Sequence, residues 1–412
     1  MKTGRRISWL GWLCASLILL AIGVTAAPTA LDTRIWSRTE IWGLDRALIR
    51  SALSPQVTEN RYPDKIAVRQ GEREIASTLE YTLDQDLQDA VRSIFDQYRP
   101  DYGIFAAIDP DTGQILAMVS HRRDGTRGEN LTLRNSYPAA SVFKIVTAAA
   151  AMDLGKADPT TVIPFNGKTT SLYRKNVLDH KDNKWTRRMP LSSAFAKSVN
   201  TVFARLGIFS VGASSLKHYA ESFGFERNLD TDFVLGPSHI ELNAEDSWSL
   251  AETASGYTNG TTVSPIHAAA LAAVAINGGR LVTPHLVNRI VGEDGLVIYA
   301  AEDVSTAPII DPAVAQDLQV LMRETVASGS ARDSFRKFFS GDMADVEVGG
   351  KTGSLTGENP PGRYDWFVGY AQKDGRKIAF AAMCINEEFW YVKSAYVARK
   401  AIEHFFGRPN AH

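Results

Sequence analysis

The chain has 412 residues, of which 44% are hydrophobic and 22% charged, and its formal net charge is −1. A chain of this length is too long for one small domain and can bury a substantial core. The near-neutral charge gives no electrostatic sign of a nucleic-acid partner, and two cysteines exclude a framework of disulfide bridges.

The N-terminus combines a short basic segment, MKTGRR, with an uncharged run from Ile7 to Ala26. A run of about 20 apolar residues can span a bilayer as a helix, with its basic flank in the cytoplasm. It exceeds the ~7–15 residues of a signal-peptide core, which favours a retained anchor, although its end also fits a cleavage site. We predict that residues 1–27 are an inner-membrane anchor or a signal segment. The remainder would then be periplasmic, or secreted after cleavage.

Residues 28–78 have a mixed, polar composition that includes the amphipathic stretch EIWGLDRALIRSAL. We interpret them as a juxtamembrane stalk with some helix and assign no chemistry to them. A single larger domain is predicted to follow, over residues 79–412.

The pattern becomes regular from residue 82 onward. LDQDLQDAVRSIFDQY has apolar residues at helical spacing, and GIFAAIDPDTGQILAMVSH contains two apolar runs joined by turn residues, which predicts a β-hairpin. The stretches SVFKIVTAAAAMDL, PLSSAFAKSVNTVFARLG and SPIHAAALAAVAINGG predict helices across the middle of the chain. VEVGGKTGSL, YDWFVGYAQ and KIAFAAMCINE then predict three strands, and VKSAYVARKAIEHFF a final helix.

This order of elements predicts the fold class. Two strands, a long helical segment and three further strands indicate an α/β (α+β) domain, with one antiparallel five-stranded sheet flanked by helices. An all-helical lobe would be inserted between the hairpin and the last strands. A cleft is expected where the lobe meets the sheet, because ligands bind in such concavities.

Three short motifs in this domain carry polar side chains suited to catalysis: Ser141-Val-Phe-Lys144, Ser198-Val-Asn200 and Lys351-Thr352-Gly353. Residues three apart on a helix share a face, so Ser141 and Lys144 are neighbours. Apolar residues surround Lys144, and burial lowers a lysine pKa and makes the amine usable as a base. A serine beside such a lysine is a candidate activated nucleophile.

The strand hairpin, the Ser-x-x-Lys helix, Ser-x-Asn and the Lys-Thr-Gly strand, in this order, resemble the penicillin-binding transpeptidases and serine β-lactamases. The resemblance runs from about Tyr81 to Phe406 and includes IDPDTGQILAMVS, TVSPIHAAALAAVAINGG and DWFVGYA. It implies a serine acyltransferase that acts on D-alanyl-D-alanine termini of peptidoglycan stem peptides and is acylated by β-lactams. It implies no metal or cofactor, and membrane-embedded partners in cell-wall synthesis.

The resemblance also implies roles for individual residues. Ser141 would be the nucleophile, Lys144 its base and Ser198 a proton relay. Substrate would be bound by Asn200, Lys351, Thr352, Gly353 and Ser354, and the backbone N–H groups of Ser141 and Ser354 would form the oxyanion hole. One departure is Ser255-Gly256-Tyr257-Thr258-Asn259, which stands where relatives usually carry a Gly-Gln-Gly-like run.

Three alternatives remain open on the sequence. A β-lactamase would need a deacylating base, and Glu241 is the candidate carboxylate between the second and third motifs. A covalent β-lactam receptor or an inactive scaffold of a cell-wall complex would carry the same motifs. Water or an amine could each accept the acyl group, which leaves D,D-carboxypeptidase and D,D-transpeptidase activities both open.

Overall fold

The computed structural model describes residues 44–70, 73–179, 181–302 and 306–407. The predicted anchor or signal segment, residues 1–27, lies outside these ranges. Within them, no helix has the length and apolar character needed to cross a membrane.

The helices and strands follow each other in an order close to that expected. The strands are β1 (Lys65–Gln70), β2 (Arg73–Tyr81), β3 (Tyr102–Ile108), β4 (Ile115–Arg122), β5 (Val162–Phe165), β6 (Arg187–Pro190), β7 (Val287–Gly292), β8 (Val297–Ala300), β9 (Glu347–Glu358), β10 (Pro361–Lys373) and β11 (Arg376–Asn386). The α-helices are α1 (Arg46–Thr58), α2 (Gln85–Tyr98), α3 (Lys144–Asp153), α4 (Arg174–Val177), α5 (Leu191–Ala196), α6 (Asn200–Leu206), α7 (Ala213–Ser222), α8 (Ser247–Ser255), α9 (Pro265–Ile276), α10 (Pro312–Ala327), α11 (Arg332–Phe335) and α12 (Ser394–Gly407). Short 3₁₀ turns cover Ala140–Phe143 and Gly341–Met343, and a π-helical turn covers Gly207–Val211.

The predicted antiparallel five-stranded sheet is confirmed. Its strand order is β4-β3-β11-β10-β9, and every neighbouring pair is antiparallel. The β3–β4 turn forms because the Asp109 carboxylate accepts the N–H groups of Asp111 and Thr112, and Gly113 adopts a φ of 83°. β9, the strand that carries the Lys-Thr-Gly motif, is an edge strand, so one of its sides is free to face a cleft.

The expected stalk over residues 28–78 requires correction in its second half. Residues 28–43 lie outside the described ranges, but the helix α1 and the strands β1 and β2 belong to the same compact unit as the rest of the described chain. β2 pairs with β7, some 200 positions later, in a four-stranded sheet of order β1-β2-β7-β8. Apolar side chains of this segment, Ile49, Leu53 and Val57 among them, are fully buried. A stalk would be surrounded by water, whereas these apolar side chains are packed into the domain, so residues 44–78 are part of the domain.

The insertion between β4 and β9 is largely helical, as predicted, but it is not all-helical. β5 and β6 form a two-stranded sheet within it, and β7 and β8 extend the four-stranded sheet. The stretch PLSSAFAKSVNTVFARLG is also two helices, α5 and α6, where the sequence predicted one. Ser198 interrupts it with a φ of 54°, in the left-handed region that ends helices.

The core contains large aromatic residues of the strands β10 and β11. Trp366, Tyr370 and Phe380 are fully buried, and Cys384 is a buried free thiol. Every residue of α9 is also buried, since this helix is covered on all sides. The rigid core thus places the edge strand β9 against the 3₁₀ turn that contains Ser141.

Candidate active site

Ser141 lies in the 3₁₀ turn Ala140–Phe143, and the helix α3 begins directly after it at Lys144. The preceding residue, Ala140, has a φ of 49°, a conformation that is costly for a residue with a Cβ atom. Ser141 itself is half-buried. Because of the positive φ of Ala140 and the short 3₁₀ turn, the Ser141 hydroxyl lies at the surface of a cavity, while the next three residues are buried.

Lys144 is completely buried and makes three contacts through its Nζ atom. Nζ lies 2.7 Å from Ser141 Oγ, 2.8 Å from Asn200 Oδ1 and 2.5 Å from the backbone oxygen of Ser255. The Asn200 amide is oriented by its own Nδ2, which donates to the Thr170 oxygen at 2.9 Å. None of the three partner oxygens belongs to a carboxylate, so no negative charge compensates an ammonium group at this position.

The electrostatic environment favours the neutral form of Lys144. Burial, together with the nearby charge of Lys351, holds the pKa of the Lys144 amine well below its usual range. A neutral amine has two N–H donors and one lone pair. The oxygens of Asn200 and Ser255 can only accept, so they take both hydrogens, and the lone pair is left for the Ser141 hydroxyl.

The second motif approaches from the inserted lobe. Asn200 is the first residue of α6 and is nearly fully buried, and its N–H donates to the Thr169 oxygen at 2.9 Å. Ser198 lies in the turn between α5 and α6 and lines the same cavity as Ser141. The left-handed φ of Ser198 turns the chain so that Ser198 and Asn200 both reach this cavity.

The third motif lies on the edge strand β9. Lys351 is fully buried, its Nζ donates to the Thr352 oxygen at 2.9 Å, and burial lowers its pKa to about 7. The Thr352 hydroxyl lies 2.6 Å from Ser330 Oγ. A Cβ atom on Gly353 would lie 3.2 Å from Val142, so glycine lets this strand approach the 3₁₀ turn that contains Ser141 closely. Ser354 continues the strand along the cavity.

These residues surround a cavity of about 610 Å³. Six of the eight predicted site residues line it directly: Ser141, Ser198, Asn200, Thr352, Gly353 and Ser354. Lys144 and Lys351 lie behind this lining, in contact with it. Asp365, which directly precedes Trp366 on β10, is also part of the lining.

Sequence reasoning missed several lining residues: Thr170, Lys197, Ser330, Arg363, Trp390, Lys393 and Ser394. They come from loops and strand ends far apart in the chain, and no short motif marks them. For Ser330, the sequence offers a partial indication of a tightly packed loop, because Gly329 directly precedes it after the helix α10. A Cβ atom on Gly329 would lie 2.5 Å from the Ala196 oxygen, so this loop is held against α5.

The unusual segment Ser255–Asn259 packs against the Ser141 turn and Lys144. Ser255 is the last residue of α8, and its unpaired terminal carbonyl is the one that contacts Lys144. Gly256 has a φ of 61°, and a Cβ atom there would lie 1.9 Å from the Ala140 oxygen. The backbone at Gly256 is therefore packed directly against the strained residue before Ser141.

The profile of the penicillin-binding protein transpeptidase domain matches residues 103–403, which is more than half of the chain. The chain belongs to this family. This transpeptidase-family chain is 28% identical over 325 residues to the peptidoglycan D,D-transpeptidase PbpA of Mycobacterium tuberculosis, an alignment that covers 70% of this chain and 63% of PbpA. It is 24% identical over 299 residues to the stage V sporulation protein D of Bacillus subtilis, covering 67% and 44% of the two chains. The chain thus spans less than two thirds of the length of these curated relatives.

Solved structures share the fold. The transpeptidase-family chain matches the D,D-transpeptidase domain of a peptidoglycan glycosyltransferase from Eggerthella lenta with a TM-score of 0.66 at 23% identity, covering 80% of this chain and 83% of the other. It matches the imipenem acyl-enzyme complex of penicillin-binding protein A from M. tuberculosis with a TM-score of 0.65 at 26% identity, covering 80% and 79%. The first match establishes the fold.

The position of Glu241 bears on the β-lactamase alternative. Glu241 contacts the Thr258 hydroxyl and lines a separate cavity of about 460 Å³ with His239 and Glu252. Among the described residues, the lining of the Ser141 cavity contains one carboxylate, that of Asp365. Glu241 is therefore not placed to activate a water molecule at an acylated Ser141.

The histidines within the described ranges do not form a cluster that could hold a metal ion. His267 is buried between Ser238 and Phe223, and burial lowers its pKa to about 4. Within the part of the chain that the structure describes, no three His, Cys, Asp or Glu side chains are arranged to hold a metal ion. The residues that approach Ser141 are hydroxyls, amides and amines.

Proposed function

We propose that this chain is a serine acyltransferase that acts on the D-alanyl-D-alanine terminus of peptidoglycan stem peptides and is acylated by β-lactams. The contact between Ser141 Oγ and the buried Nζ of Lys144, at 2.7 Å, carries this proposal. A serine hydroxyl is a weak nucleophile until a base accepts its proton. The relatives named as D,D-transpeptidases and the β-lactam complexes of penicillin-binding protein A support the same chemistry.

In the first step, Ser141 Oγ forms a bond to the carbonyl carbon of the scissile peptide, and its proton passes to the lone pair of Lys144. The two oxygens that accept from Lys144 hold the amine in place before and after it is charged. Backbone N–H groups of Ser141 and Ser354 are proposed to receive the developing oxyanion. Such a donor typically contributes about 3–4 kcal/mol to transition-state stabilisation.

In the second half of this step, the C–N bond breaks and the leaving amine needs a proton. Ser198 is proposed to deliver it, since it lines the cavity with Ser141. Lys351, with a pKa of about 7, is available in both charge states near neutral pH. The Thr352 hydroxyl, beside Ser330 Oγ, is proposed to bind the terminal carboxylate of the substrate, and Asn200 and Gly353 to flank its backbone.

The acyl-enzyme is expected to be long-lived with β-lactams. The cavity carboxylate, Asp365, accepts both the N–H and the hydroxyl of Ser394 at 2.8 Å, so its Oδ2 already has two partners. A hydrolytic base of the kind that β-lactamases require is therefore not provided by Asp365. We propose transfer to an amine of a second peptide, with carboxypeptidase activity as the second candidate because Ser141 is partly exposed to water.

The experiment that tests the proposal follows the intact mass of the full-length protein in detergent after addition of benzylpenicillin. We expect one adduct per chain that lasts for hours and that peptide mapping assigns to Ser141. Ser141→Ala should abolish it, while Ser93→Ala, a surface serine on α2, should retain it. A missing adduct on the unaltered protein would overturn the proposal, and an adduct that disappears within seconds would identify a β-lactamase.

We also propose that the protein works in the bacterial cell envelope. Its substrate, peptidoglycan, lies outside the cytoplasmic membrane, and the uncharged run at residues 7–26 would place the domain there as an anchored or a secreted protein. Interaction with membrane-embedded proteins of cell-wall synthesis stays a prediction. Membrane fractionation of cells that express the full chain distinguishes the anchored from the secreted form.

A further inference from the structure

The cavity that contains Ser141 continues past Ser354 to a second group of side chains. Arg363, Trp390 and Lys393 line this outer end, and we call these three residues the outer cluster. Arg363 Nε donates to Ser354 Oγ at 3.3 Å, and its guanidinium carbon lies 4.9 Å from the centre of the Trp390 ring. Lys393 Nζ lies 5.8 Å from the same ring. The outer cluster is therefore connected directly to the strand that carries the Lys-Thr-Gly motif.

The charge of the cavity lining is unbalanced. It contains three cations, Lys197, Arg363 and Lys393, and one carboxylate, Asp365, which is already bonded to Ser394. Among the described residues, Asp365 is the cavity carboxylate on which both cations of the outer cluster act: burial raises its pKa, and the charges of Lys393 and Arg363 oppose that shift. Two like charges that share one aromatic ring repel each other, so an anion between them would be stabilised.

The outer cluster also has a shape suited to one kind of ligand group. A guanidinium presents a planar fork of N–H donors that matches a carboxylate. The Trp390 ring, 41% exposed, provides an apolar face beside it. Together they fit a carboxylate on a short apolar stem.

The direction of strand β9 indicates which part of a ligand would reach this end. Thr352 contacts Ser330 at one end of the cleft, and Ser354 contacts Arg363 at the other. Under the proposed function, the terminal carboxylate of the peptide lies at Thr352 and the scissile carbonyl at Ser141. The residues that precede the scissile bond then extend along the edge of β9 towards Arg363, as in other cases of strand addition.

We propose that the outer cluster is a subsite for a carboxylate on the part of the donor peptide that precedes the scissile bond, or on the matching side chain of a β-lactam. This inference rests on the proposed function, because it uses the acylated serine as its reference point. It assigns Arg363 the bidentate contact, Lys393 a supporting charge and Trp390 the apolar wall.

The test compares two penicillins on the full-length protein in detergent. Carbenicillin differs from benzylpenicillin by a carboxylate on the carbon that bears the phenyl ring. The second-order rate constant of acylation is measured for each, and their ratio is the readout, since a general effect of a substitution on folding or on Ser141 cancels in it. Arg363→Gln is expected to lower the carbenicillin-to-benzylpenicillin ratio about three- to tenfold, and Lys393→Gln about twofold.

Two comparisons make the result specific. Arg363→Lys should restore part of the ratio because it keeps the charge but not the fork. Lys337→Gln removes an exposed cation that is not part of the cavity lining and should leave the ratio unchanged. Raising the salt concentration should lower the ratio of the unaltered protein, because it screens exposed charges.

The outcomes separate this inference from the proposed function. A ratio that is the same in the unaltered protein, Arg363→Gln and Lys393→Gln, with normal adducts of both penicillins, overturns the subsite and leaves the acyltransferase proposal standing. A fall in the ratio for Lys337→Gln equal to that for Arg363→Gln also overturns it, since the effect would then be one of net charge. If benzylpenicillin forms no adduct with the unaltered protein, both proposals fail together.

Discussion

Gly256→Ala is the substitution whose effect on Ser141 can be worked out most directly from the structure. A Cβ atom at this position would lie 1.9 Å from the Ala140 oxygen and 3.1 Å from the Ser141 nitrogen. Ordinary contacts begin at 3.4 Å, so the two segments must separate by about 1.5 Å in the direction of the Ala140 carbonyl. The 3₁₀ turn Ala140–Phe143 and the end of α8 are the segments that must move.

Two effects of this substitution can be separated by magnitude. The φ of 61° costs an alanine about 1 kcal/mol whatever its neighbours are. The displacement of the Ala140–Ser141 peptide is a second effect, and a misplacement of about 1 Å at a reacting group can lower a rate about 100-fold. It also moves Ser255 relative to Lys144, which disturbs the 2.5 Å contact between them. We expect acylation by benzylpenicillin to fall about 100-fold.

Gly155→Ala is the matched control. Gly155 follows the other end of α3, has a φ of 64°, and a Cβ atom there would meet no atom within 4 Å. Both variants should lose about 1 kcal/mol of unfolding free energy in urea titrations, with a further loss for Gly256→Ala, while Gly155→Ala acylates at the normal rate. Acylation of folded Gly256→Ala within threefold of the unaltered protein would refute the role of this contact.

Three further predictions concern buried charges. Acylation of the unaltered protein should increase with pH as Lys144 loses its proton. Lys144→Arg should remain inactive from about pH 6 to 9, because a guanidinium is not deprotonated there. Stopped-flow measurements of the acylation rate test both, and activity of the arginine variant would contradict Lys144 as the base. The pKa of Lys351 falls from 10.5 in the unfolded chain to about 7 in the folded one. Its burial therefore lowers the free energy of unfolding by the full amount below pH 7, and by progressively less as the pH rises towards 10. Lys351→Met should therefore raise the unfolding temperature most below pH 7, and thermal melts that show an equal shift at pH 10 would contradict this cause. Asp365→Ala leaves the first N–H of α12 without its partner at 2.8 Å and should cost about 1–2 kcal/mol in urea unfolding, whereas an unchanged midpoint would show that this contact does not stabilise the helix.

The sequence predicted those features that short patterns encode. The i, i+3 spacing of Ser141 and Lys144 guarantees that the two side chains share a face, and short apolar runs separated by turn residues define the strands of the five-stranded sheet. Pairing of β2 with β7 was not predictable in this way. The segment before residue 79 is polar and mixed, and the sheet that its β1–β2 hairpin joins is completed by β7, some 200 residues away.

For this protein, the sequence by itself determined the fold class, the proposed nucleophile Ser141 and the order of the three motifs, because these depend on local periodicity and on residue types at short spacing. The tertiary structure decided which atoms contact the Lys144 amine beside Ser141. Lys144 meets Asn200 and the Ser255 oxygen, 56 and 111 positions away, and its burial by these long-range contacts lowers its pKa. The left-handed turn at Ser198 and the charged outer end of the cavity were also decided there, since both arise from the packing of distant segments against one another.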